Sequence, residues 1–461
     1  MSTATSPARL TPDALDDLIR RGEIDTVISA IPDMQGRLMG KRITGDFFLE
    51  HGRHGTHFCT YLLGTDMEMR TPEGYRLTNW ETGYGDWLAD PDWSTLRRIP
   101  WLEKTALVLG DARDEASGEL VAIAPRTILR RQVERAARLG VRPMMASELE
   151  FYLLRESYDE AAGKGFHDLR PFGWYNEDYH LLQATKAEPL YRRFRTLMCE
   201  AGIPIEFSKG EAAPGQHEIN IHYADALESA DRHAIFKHGV KEIAWQDGHA
   251  VTFMAKPSHD WTGNSAHVHL SLRDADGSRN LFLDDGAQPY HMSDTMRWFL
   301  GGLMQGIREL CFFIAPFVNS YKRFAVASWA PVHVVWGRDN RTCGFRIVGD
   351  GPSLRIEARF PGGDANPYLA YAALLGAGLH GVEHRIEPPA EHRGNGYTAT
   401  GAPRVPAALW ESIAELERSA LARELFGDDV VEHYLNAARV EQREADRVVT
   451  CWERERYLER G

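Results

Sequence analysis

The chain has 461 residues, a formal net charge of −13 at pH 7, 43% hydrophobic residues and 26% charged residues. This length allows two or three domains, and the composition is typical of globular proteins. The sequence has no apolar run long enough to cross a bilayer, no secretory signal pattern and no contiguous Lys/Arg stripe, so we expect a cytoplasmic protein that binds neither membrane nor nucleic acid.

Short apolar segments alternate with turn-rich stretches through the first quarter of the chain, which predicts a small mixed domain. Pro125 then opens a helix that ends at Gly140. Apolar residues at spacings of three and four predict further helices at 293–314, 366–383, 405–425 and 428–457.

The segment MMASELEFYLL is a predicted strand with one charged face. Glu148 and Glu150 point to that face beside Tyr152, while Leu149 and Phe151 point to the other. Two like charges on one strand face repel each other. A cation between the two carboxylates would remove this repulsion.

Three further segments repeat the pattern of a polar face at every second position. They are KGEAAPGQHEINIHY with Glu211 and Glu218, NSAHVHLSL with His267, His269 and Ser271, and SLRIEARF with Arg355, Glu357 and Arg359. Any one of them alone is more often a solvated strand face. Together with the first segment they supply five glutamates and one or two histidines, a set that suits two Mg²⁺ or Mn²⁺ ions.

Arginines accompany these acids in NSYKRF and WGRDNRTCGFRI, which contain Arg323, Arg338, Arg341 and Arg346. Guanidinium groups fit phosphate and carboxylate, although surface ion pairs would explain the same residues. The sequence has neither a P-loop nor a dinucleotide-binding glycine motif. Acids and arginines together therefore indicate phosphoryl transfer at another kind of site.

Six motifs in order resemble glutamine synthetases of the bacterial type I class, from about Ile24 to the C-terminus. They are SELEF, KGEAAPGQHEIN, MAKP followed by GNSAHVHLSL, NSYKRF, DNRTCGFRI and LRIEARFPGGDANPYLAYAAL. The resemblance implies an α+β fold, with a tail (1–14), a small β-grasp-like domain (15–112) and a catalytic ATP- and metal-binding domain (113–461) whose antiparallel sheet forms a funnel flanked by helices. It also implies a dodecamer of two hexameric rings with sites between neighbouring subunits.

The resemblance assigns roles residue by residue. It implies one metal on Glu150, Glu211 and Glu218, and a second on Glu148, His267 and Glu357, with two or three Mg²⁺ or Mn²⁺ ions in all. It implies ATP contacts from Glu206, Tyr223, His269, Ser271, Arg341, Arg346 and Arg355, and L-glutamate contacts from Gly263, Arg323 and Arg359. In the implied chemistry the glutamate side chain attacks the γ-phosphate of ATP, and an amine then displaces phosphate; Arg323, Arg341 and Asp66 are the candidate catalytic residues.

Two departures from the ammonia-using pattern concern the amine. The stretch FAVASWAPVHVVWGR carries no acid where those enzymes have a glutamate, and Trp329 lies at about that position. GNSAH also replaces GSGMH. The chain resembles the subgroup of γ-glutamyl-amine synthetases, which implies that the substrate is an organic amine such as ethanolamine or a polyamine. We expect Trp329 to line the amine pocket and Asp66 to bind the amine from a neighbouring subunit.

Several alternatives remain open on the sequence. The first alternative is a classical glutamine synthetase that uses ammonia. The others are a catalytically inactive relative with a structural or regulatory role, and a phosphotransferase similar to guanidine kinases. Trp329 could serve only in packing of the flap. Tyr397 lies in a loop comparable to the one that is nucleotidylated in regulated relatives, but GNGYTATGAP lacks the usual acidic context, and we do not expect that control here.

Overall fold

The structure is a computed structural model that describes residues 9–461. It contains two sheets with helices packed around them, and the predicted α+β class is confirmed. The tail predicted at 1–14 lies mostly outside the described residues, and the first helix begins within its range, at Pro12. No helix in residues 9–461 is long and apolar enough to span a membrane.

The N-terminal sheet has six strands. They are β1 (Thr26–Pro32), β2 (Leu38–Thr44), β3 (Thr56–Cys59), β4 (Asp86–Pro91), β5 (Arg97–Arg98) and β6 (Thr105–Arg113), with helices α1 (Pro12–Arg20) and α2 (Gly45–Glu50) beside them. The strand order is β2-β1-β6-β4-β3, with β5 on β6. Strands β1 and β6 are parallel, whereas the other pairs are antiparallel.

The second sheet has nine strands. They are β7 (Val141–Leu154), β8 (Ile205–Gly210), β9 (Gln216–Ile221), β10 (Ala224–Asp225), β11 (Ala250–Thr252), β12 (Ala266–Asp274), β13 (Trp336–Arg338), β14 (Phe345–Val348) and β15 (Arg355–Ala358). The order is β13-β14-β15-β12-β7-β9-β8, with β10 and β11 also on β7. Every pair is antiparallel, as expected, except β13 with β14.

Twelve helices flank the second sheet in the described chain. They are α3 (Pro125–Arg138), α4 (Tyr158–Gly163), α5 (Leu181–Thr185), α6 (Glu188–Glu200), α7 (Ala226–Gln246), α8 (Asp294–Gly306), α9 (Cys311–Ile314), α10 (Pro367–His384), α11 (Leu409–Arg418), α12 (Ala420–Phe426), α13 (Asp428–Asp446) and α14 (Cys451–Tyr457). The helix predicted at 366–383 is confirmed. The other three long segments are each two helices.

Local capping explains two of these breaks. Ser419 accepts a hydrogen bond from the Ala422 N–H, and Thr450 accepts one from the Glu453 N–H, so each side chain starts a new helix inside a continuous apolar pattern. Periodicity shows which face of a helix is buried, but it does not show that the axis changes direction.

The strand faces follow the predicted alternation. Leu149, Phe151 and Ile219 are fully buried in one apolar cluster, and Val268 and Ile356 are buried in another. Burial of these side chains from water stabilises the sheet by about 2 kcal/mol each. It also fixes the register, because a slip of one residue would bury the charged face instead.

A buried arginine joins the two sheets. Arg126, at the start of α3, is paired with Asp92 and Asp111 from the N-terminal sheet region and with Asp231 of α7. Its side chain is only 2% exposed. Three carboxylates around one buried guanidinium leave unpaired charges if the arginine is removed.

We predict that Arg126→Ala destabilises the protein by about 3–5 kcal/mol, because it leaves carboxylates in the interior without their positively charged partner. The measurement is the Tm and the urea midpoint of unfolding, compared with Arg423→Ala as a control. Arg423 is also paired with two acids, Asp428 and Glu432, but at the surface. Equal, small effects of the two substitutions would contradict a structural role for Arg126.

Candidate active site

The register of the second sheet places polar side chains of neighbouring strands directly opposite one another. Glu148 of β7 faces His267 of β12, and His269 of β12 faces Glu357 of β15. On the other side of β7, Glu150 faces Glu218 of β9. The four predicted polar faces therefore form one continuous surface.

The first carboxylate cluster consists of Glu150, Glu211 and Glu218. One oxygen from each lies within 4.8 Å of the others. Burial, reinforced by Glu211, raises the pKa of Glu150 to about 8, and burial with the charges of Glu148 and Glu211 raises the pKa of Glu218 to about 9. Without a bound cation, Glu150 and Glu218 therefore hold protons at neutral pH.

Counter-charge at the first cluster comes from Lys209, whose ammonium group is paired with Glu211, and from Arg323 and Arg359, which act on Glu150. Glu150 accepts a hydrogen bond from the Ser265 N–H at 2.6 Å, and Glu218 accepts one from the Asn220 amide at 2.9 Å. These donors orient the carboxylates and leave oxygen atoms available for a cation.

The second cluster consists of Glu148, His269 and Glu357, whose ligand atoms also lie within 4.8 Å of one another. His267, the histidine expected there from the sequence, is adjacent: its Nδ1 lies 3.1 Å from a Glu148 oxygen and 3.5 Å from a Glu357 oxygen. The structure therefore brings both imidazoles to the two carboxylates.

The acids of the second cluster are ionised. Burial opposes ionisation of Glu148, but His269 and a hydrogen bond from His267 outweigh it and hold the pKa well below its usual range. Burial also opposes ionisation of Glu357, but the neighbouring Arg359 outweighs it and lowers the pKa to about 2. The protein's own basic groups thus outweigh burial here, unlike in the first cluster.

The donor set fits hard divalent cations. Carboxylate oxygens with one or two imidazoles suit Mg²⁺ or Mn²⁺. Burial and the nearby Arg359 lower the pKa of His267 to about 4, so its ring is neutral, as a metal ligand must be. Its Nε2 atom is buried with no hydrogen-bond partner among residues 9–461, which marks a polar atom that a bound group would satisfy.

A cleft of about 440 Å³ adjoins the second cluster. It is lined by five of the residues that the resemblance assigns to ATP: Glu206, Tyr223, His269, Ser271 and Arg355. Glu148 lines it as well, so one metal-site carboxylate faces the cleft. Tyr223 is half exposed, which leaves a ring face for an aromatic base to stack on.

Two of the remaining predicted arginines contact Glu357. Arg346 donates to Glu357 Oε2 at 2.9 Å, and Arg359 pairs with Oε1 of the same carboxylate. Arg355 donates to the His269 ring at 3.0 Å. Arg341 is exposed in the turn between β13 and β14.

Gly263 and Arg323 lie against each other. A Cβ atom at Gly263 would lie 2.7 Å from the Arg323 side chain and 2.8 Å from a backbone carbonyl, so only glycine fits. Arg323 is fully buried and donates to the carbonyls of Phe360 and Arg359 at 2.7 and 2.9 Å. It fixes the end of β15 here, and its contact with glutamate stays a prediction.

Trp329 lies in the segment that follows Arg323. Its backbone has a φ of 64°, in the left-handed region, and its side chain is 57% exposed. A large exposed aromatic side chain on a strained backbone is not explained by core packing. The structure therefore favours a contact surface over burial within this subunit.

Asp66 lies apart from both clusters. Its side chain accepts from the Arg70 N–H at 2.8 Å, and its carbonyl accepts from Arg37 at 3.3 Å. No hydrogen bond or ion pair within residues 9–461 joins it to any of the six predicted metal ligands. Within one chain, Asp66 does not belong to the site.

Sequence reasoning missed two basic residues. Lys209 lies two residues before Glu211, and Arg273 continues the β12 face of His267, His269 and Ser271. Arg273 lies over the Tyr223 ring at 5.8 Å and lines the cleft. The same alternation that selected the acids would have found both.

The Tyr397 hydroxyl is buried, with no hydrogen-bond partner in the described chain. Its loop is held by a bond from the Gly396 N–H to Thr342 at 2.8 Å and by the His333 ring, which donates to the Gly396 carbonyl at 3.0 Å. Transfer of a nucleotide to this hydroxyl would require the loop to open.

The family profile, the similar sequences and a similar solved structure all indicate the glutamine synthetase family. The family profile described as "Glutamine synthetase, catalytic domain" matches residues 122–457. Gamma-glutamylethanolamide synthetase GlnA4 of Streptomyces coelicolor is 50% identical over 97% of this chain and 96% of its own length, and glutamate–isopropylamine ligase of a Pseudomonas species is 38% identical over 96% and 97%. A solved complex of GmaS with ADP superposes with a TM-score of 0.84 at 30% identity, over 96% of this chain and 99% of that one.

We predict that Glu218→Gln stabilises the metal-free protein increasingly as the pH rises from about 5 to 9. In the folded wild type the raised pKa of Glu218, about 9, keeps a proton that the unfolded chain releases above its ordinary pKa of 4.5. Folding stability therefore falls as the pH rises through this window, and glutamine does not titrate.

The measurement is Tm against pH in EDTA, followed by Mg²⁺ addition. Mg²⁺ is expected to raise the Tm of the wild type more than that of the variant, because the variant keeps only the second cluster intact. Glu206→Gln is the control, because Glu206 lies at the cleft outside both clusters. Parallel Tm profiles for wild type and Glu218→Gln would refute the assigned repulsion.

Proposed function

Because the chain belongs to the glutamine synthetase family, we propose that it is an ATP-dependent ligase that joins the γ-carboxylate of L-glutamate to an organic amine. Enzymes of this family use ATP and divalent metals. The observation that carries the proposal is the pair of acidic clusters, together with a segment after Arg323 that has no acid and carries Trp329 at about the position of the family glutamate.

The two clusters supply separate cation sites. Glu150, Glu211 and Glu218 would hold one ion, and Glu148, Glu357 and a histidine would hold another. Mg²⁺ bound there would neutralise negative charge on the phosphates of ATP. The number of ions, two or three, is part of the proposal.

Several residues of the chain position ATP and its products. Tyr223 and the cleft bind the base, and Ser271 and Arg355 line the same cleft. Arg346, which contacts Glu357, and Arg341 are the proposed contacts of the transferring phosphoryl group. Guanidinium groups stabilise the charge that spreads over its oxygens.

The reaction takes place in two balanced steps. A γ-carboxylate oxygen of glutamate bonds to the γ-phosphorus of ATP, and the bond to the ADP oxygen breaks. The amine nitrogen then bonds to the γ-carbonyl carbon of γ-glutamyl phosphate, phosphate leaves with the bonding electrons, and the nitrogen loses a proton. Gly263, Arg323 and Arg359 are the proposed glutamate contacts.

The amine pocket distinguishes this proposal from glutamine synthesis. From Phe324 to Arg338 the chain has no acidic residue, and Trp329 exposes its ring. An indole ring offers apolar contact to a carbon stem and an attractive face to an ammonium group. Two relatives whose names specify an organic amine, ethanolamide and isopropylamine, support the same substrate class.

Two alternatives have less support. Classical glutamine synthesis from ammonia would need an acidic residue in the flap, and this chain has none between Phe324 and Arg338. A silent structural relative would have no use for Glu150 and Glu218, which are buried with raised pKa values and are costly without a cation.

The testing experiment is phosphate release from ATP and glutamate with Mg²⁺ across ammonium, methylamine, isopropylamine, ethanolamine, putrescine and spermidine, with product masses. We expect kcat/KM for one organic amine to exceed that for ammonium by at least tenfold. A preference for ammonium would refute the proposal. Absence of turnover with every amine would favour the alternative of a catalytically inactive structural relative.

We predict that Trp329→Glu shifts the kcat/KM ratio toward ammonium by about tenfold or more, because a carboxylate replaces the apolar ring beside the amine. The measurement is kcat/KM for ammonium and for the preferred amine. Trp329→Phe is the control that keeps an aromatic ring, and it should retain the original preference. An unchanged ratio in Trp329→Glu would remove Trp329 from the pocket.

We also propose that the active site is shared between neighbouring subunits of a homo-oligomer. The proposed assembly is a dodecamer of two hexameric rings. Within residues 9–461, Asp66 makes no hydrogen bond or ion pair with the predicted metal ligands, while Met67 and Met69 beside it are exposed. This exposure supports the proposal that the loop enters the site of a neighbouring subunit. We further propose a cytoplasmic location, where ATP and glutamate are available.

We predict that Asp66→Asn and Glu218→Gln chains, each nearly inactive alone, regain activity when unfolded and refolded together. A mixed ring contains some sites with both wild-type residues, up to about a quarter of the total for random mixing of two chains. The measurement is specific activity of the mixture, with each variant refolded alone as the control. Activity no higher than that of the separate variants would place Asp66 outside the shared site.

A further inference from the structure

A second group of metal-ligating side chains lies away from the proposed active site, at the far end of α10. We propose that His380, His384 and Glu424 form a surface site for a borderline divalent ion such as Zn²⁺. One ligand atom from each residue lies within 4.8 Å of the others. The proposal does not depend on the ligase activity.

Helix geometry produces the histidine pair. His380 and His384 are four residues apart in the last turns of α10, so both rings lie on one face, with centroids 4.3 Å apart. The same spacing supplies two zinc ligands in known helical sites. Glu424 comes from the neighbouring helix α12, and its Oε1 lies 3.0 Å from His380 Nδ1.

The separations suit a tetrahedral ion. Zn–N and Zn–O bonds of about 2.0–2.1 Å place ligand atoms roughly 3.3 Å apart. Small rotations of three half-buried or exposed side chains bring atoms from within 4.8 Å to that distance. Two imidazoles and one carboxylate leave the fourth position to water.

The local charge favours a cation. Glu383 and Glu424 carry two negative charges, and Arg135 of α3 pairs with both, which leaves one negative charge when the imidazoles are neutral. The cluster also lies at the C-terminal end of α10, where the helix dipole attracts cations. Arg135 can stay on Glu383 while Glu424 turns to the ion.

The donor set separates this site from the catalytic clusters. Two histidines to one carboxylate suit Zn²⁺, Ni²⁺ or Cu²⁺, whereas the clusters at β7 and β9 are dominated by carboxylates and suit Mg²⁺. An ion here would join α10, which begins shortly after β15, to α12. It is therefore expected to stabilise the fold without taking part in the reaction.

The test is equilibrium dialysis of the untagged, full-length protein against Zn²⁺ with excess Mg²⁺ and ADP, which keeps the catalytic clusters occupied, and with metal counted per chain. His380→Ala/His384→Ala is compared with wild type. The control, His54→Ala/His291→Ala, removes two exposed histidines outside the cluster. The Tm of each protein is measured with and without Zn²⁺.

We expect wild type and control to bind one more Zn²⁺ per chain than the cluster variant, and to gain Tm with Zn²⁺. Without Zn²⁺, the single variant His384→Asn keeps the wild-type Tm, and it loses at least tenfold in Zn²⁺ affinity. Equal stoichiometry and affinity in wild type and the cluster variant would overturn the proposal, as would absence of Zn²⁺ binding to wild type.

Discussion

Electrostatic repulsion between Glu148, Glu150 and Glu218 is the constraint around which the second sheet is organised. The apolar faces of β7 and β9 bury Leu149, Phe151 and Ile219, and this burial fixes the register. The register then forces the carboxylates together on the opposite face. The core thus supplies the free energy that holds like charges at short range, and a divalent cation relieves the cost.

The two clusters meet this constraint in different ways. Around Glu357, the protein provides Arg346, Arg359 and His267, and the carboxylates there stay ionised. Around Glu150 and Glu218, burial and the neighbouring carboxylates outweigh the nearby basic residues, and the pKa values rise. A cation that binds the first cluster must displace protons near neutral pH, whereas the second is ready to bind.

The strand-borne part of the site could be predicted from the sequence because strand alternation is a local rule. Glu148, Glu150, Glu218, His267 and Glu357 all follow from period-two patterns, and the cross-strand pairs of the sheet confirm that the faces meet. Which histidine lies nearer a cation depends on side-chain rotation, and His267 and His269 both reach Glu148. No pattern in the sequence could decide between them.

Features that depend on tertiary contacts could not be predicted from the sequence. The breaks at Ser419 and Thr450 interrupt apolar patterns that continue on both sides, so periodicity alone merges the helices. The parallel pairing of β13 with β14 depends on the connection between them and not on their composition. The partners of Arg126 are separated from it by up to 105 residues, and only the fold brings them together.

The division between sheet and loops bears on how substrate choice can change. Five of the six predicted metal ligands, all but Glu211, lie on strands whose register is fixed by buried apolar residues, so their positions tolerate little alteration. Trp329 lies in a connecting segment with a left-handed backbone and an exposed side chain, where a substitution disturbs no core contact. On the proposed assignments, the amine contacts Trp329 and Asp66 lie in connecting segments, where substitutions can alter the choice of amine while the sheet keeps the residues proposed to activate glutamate.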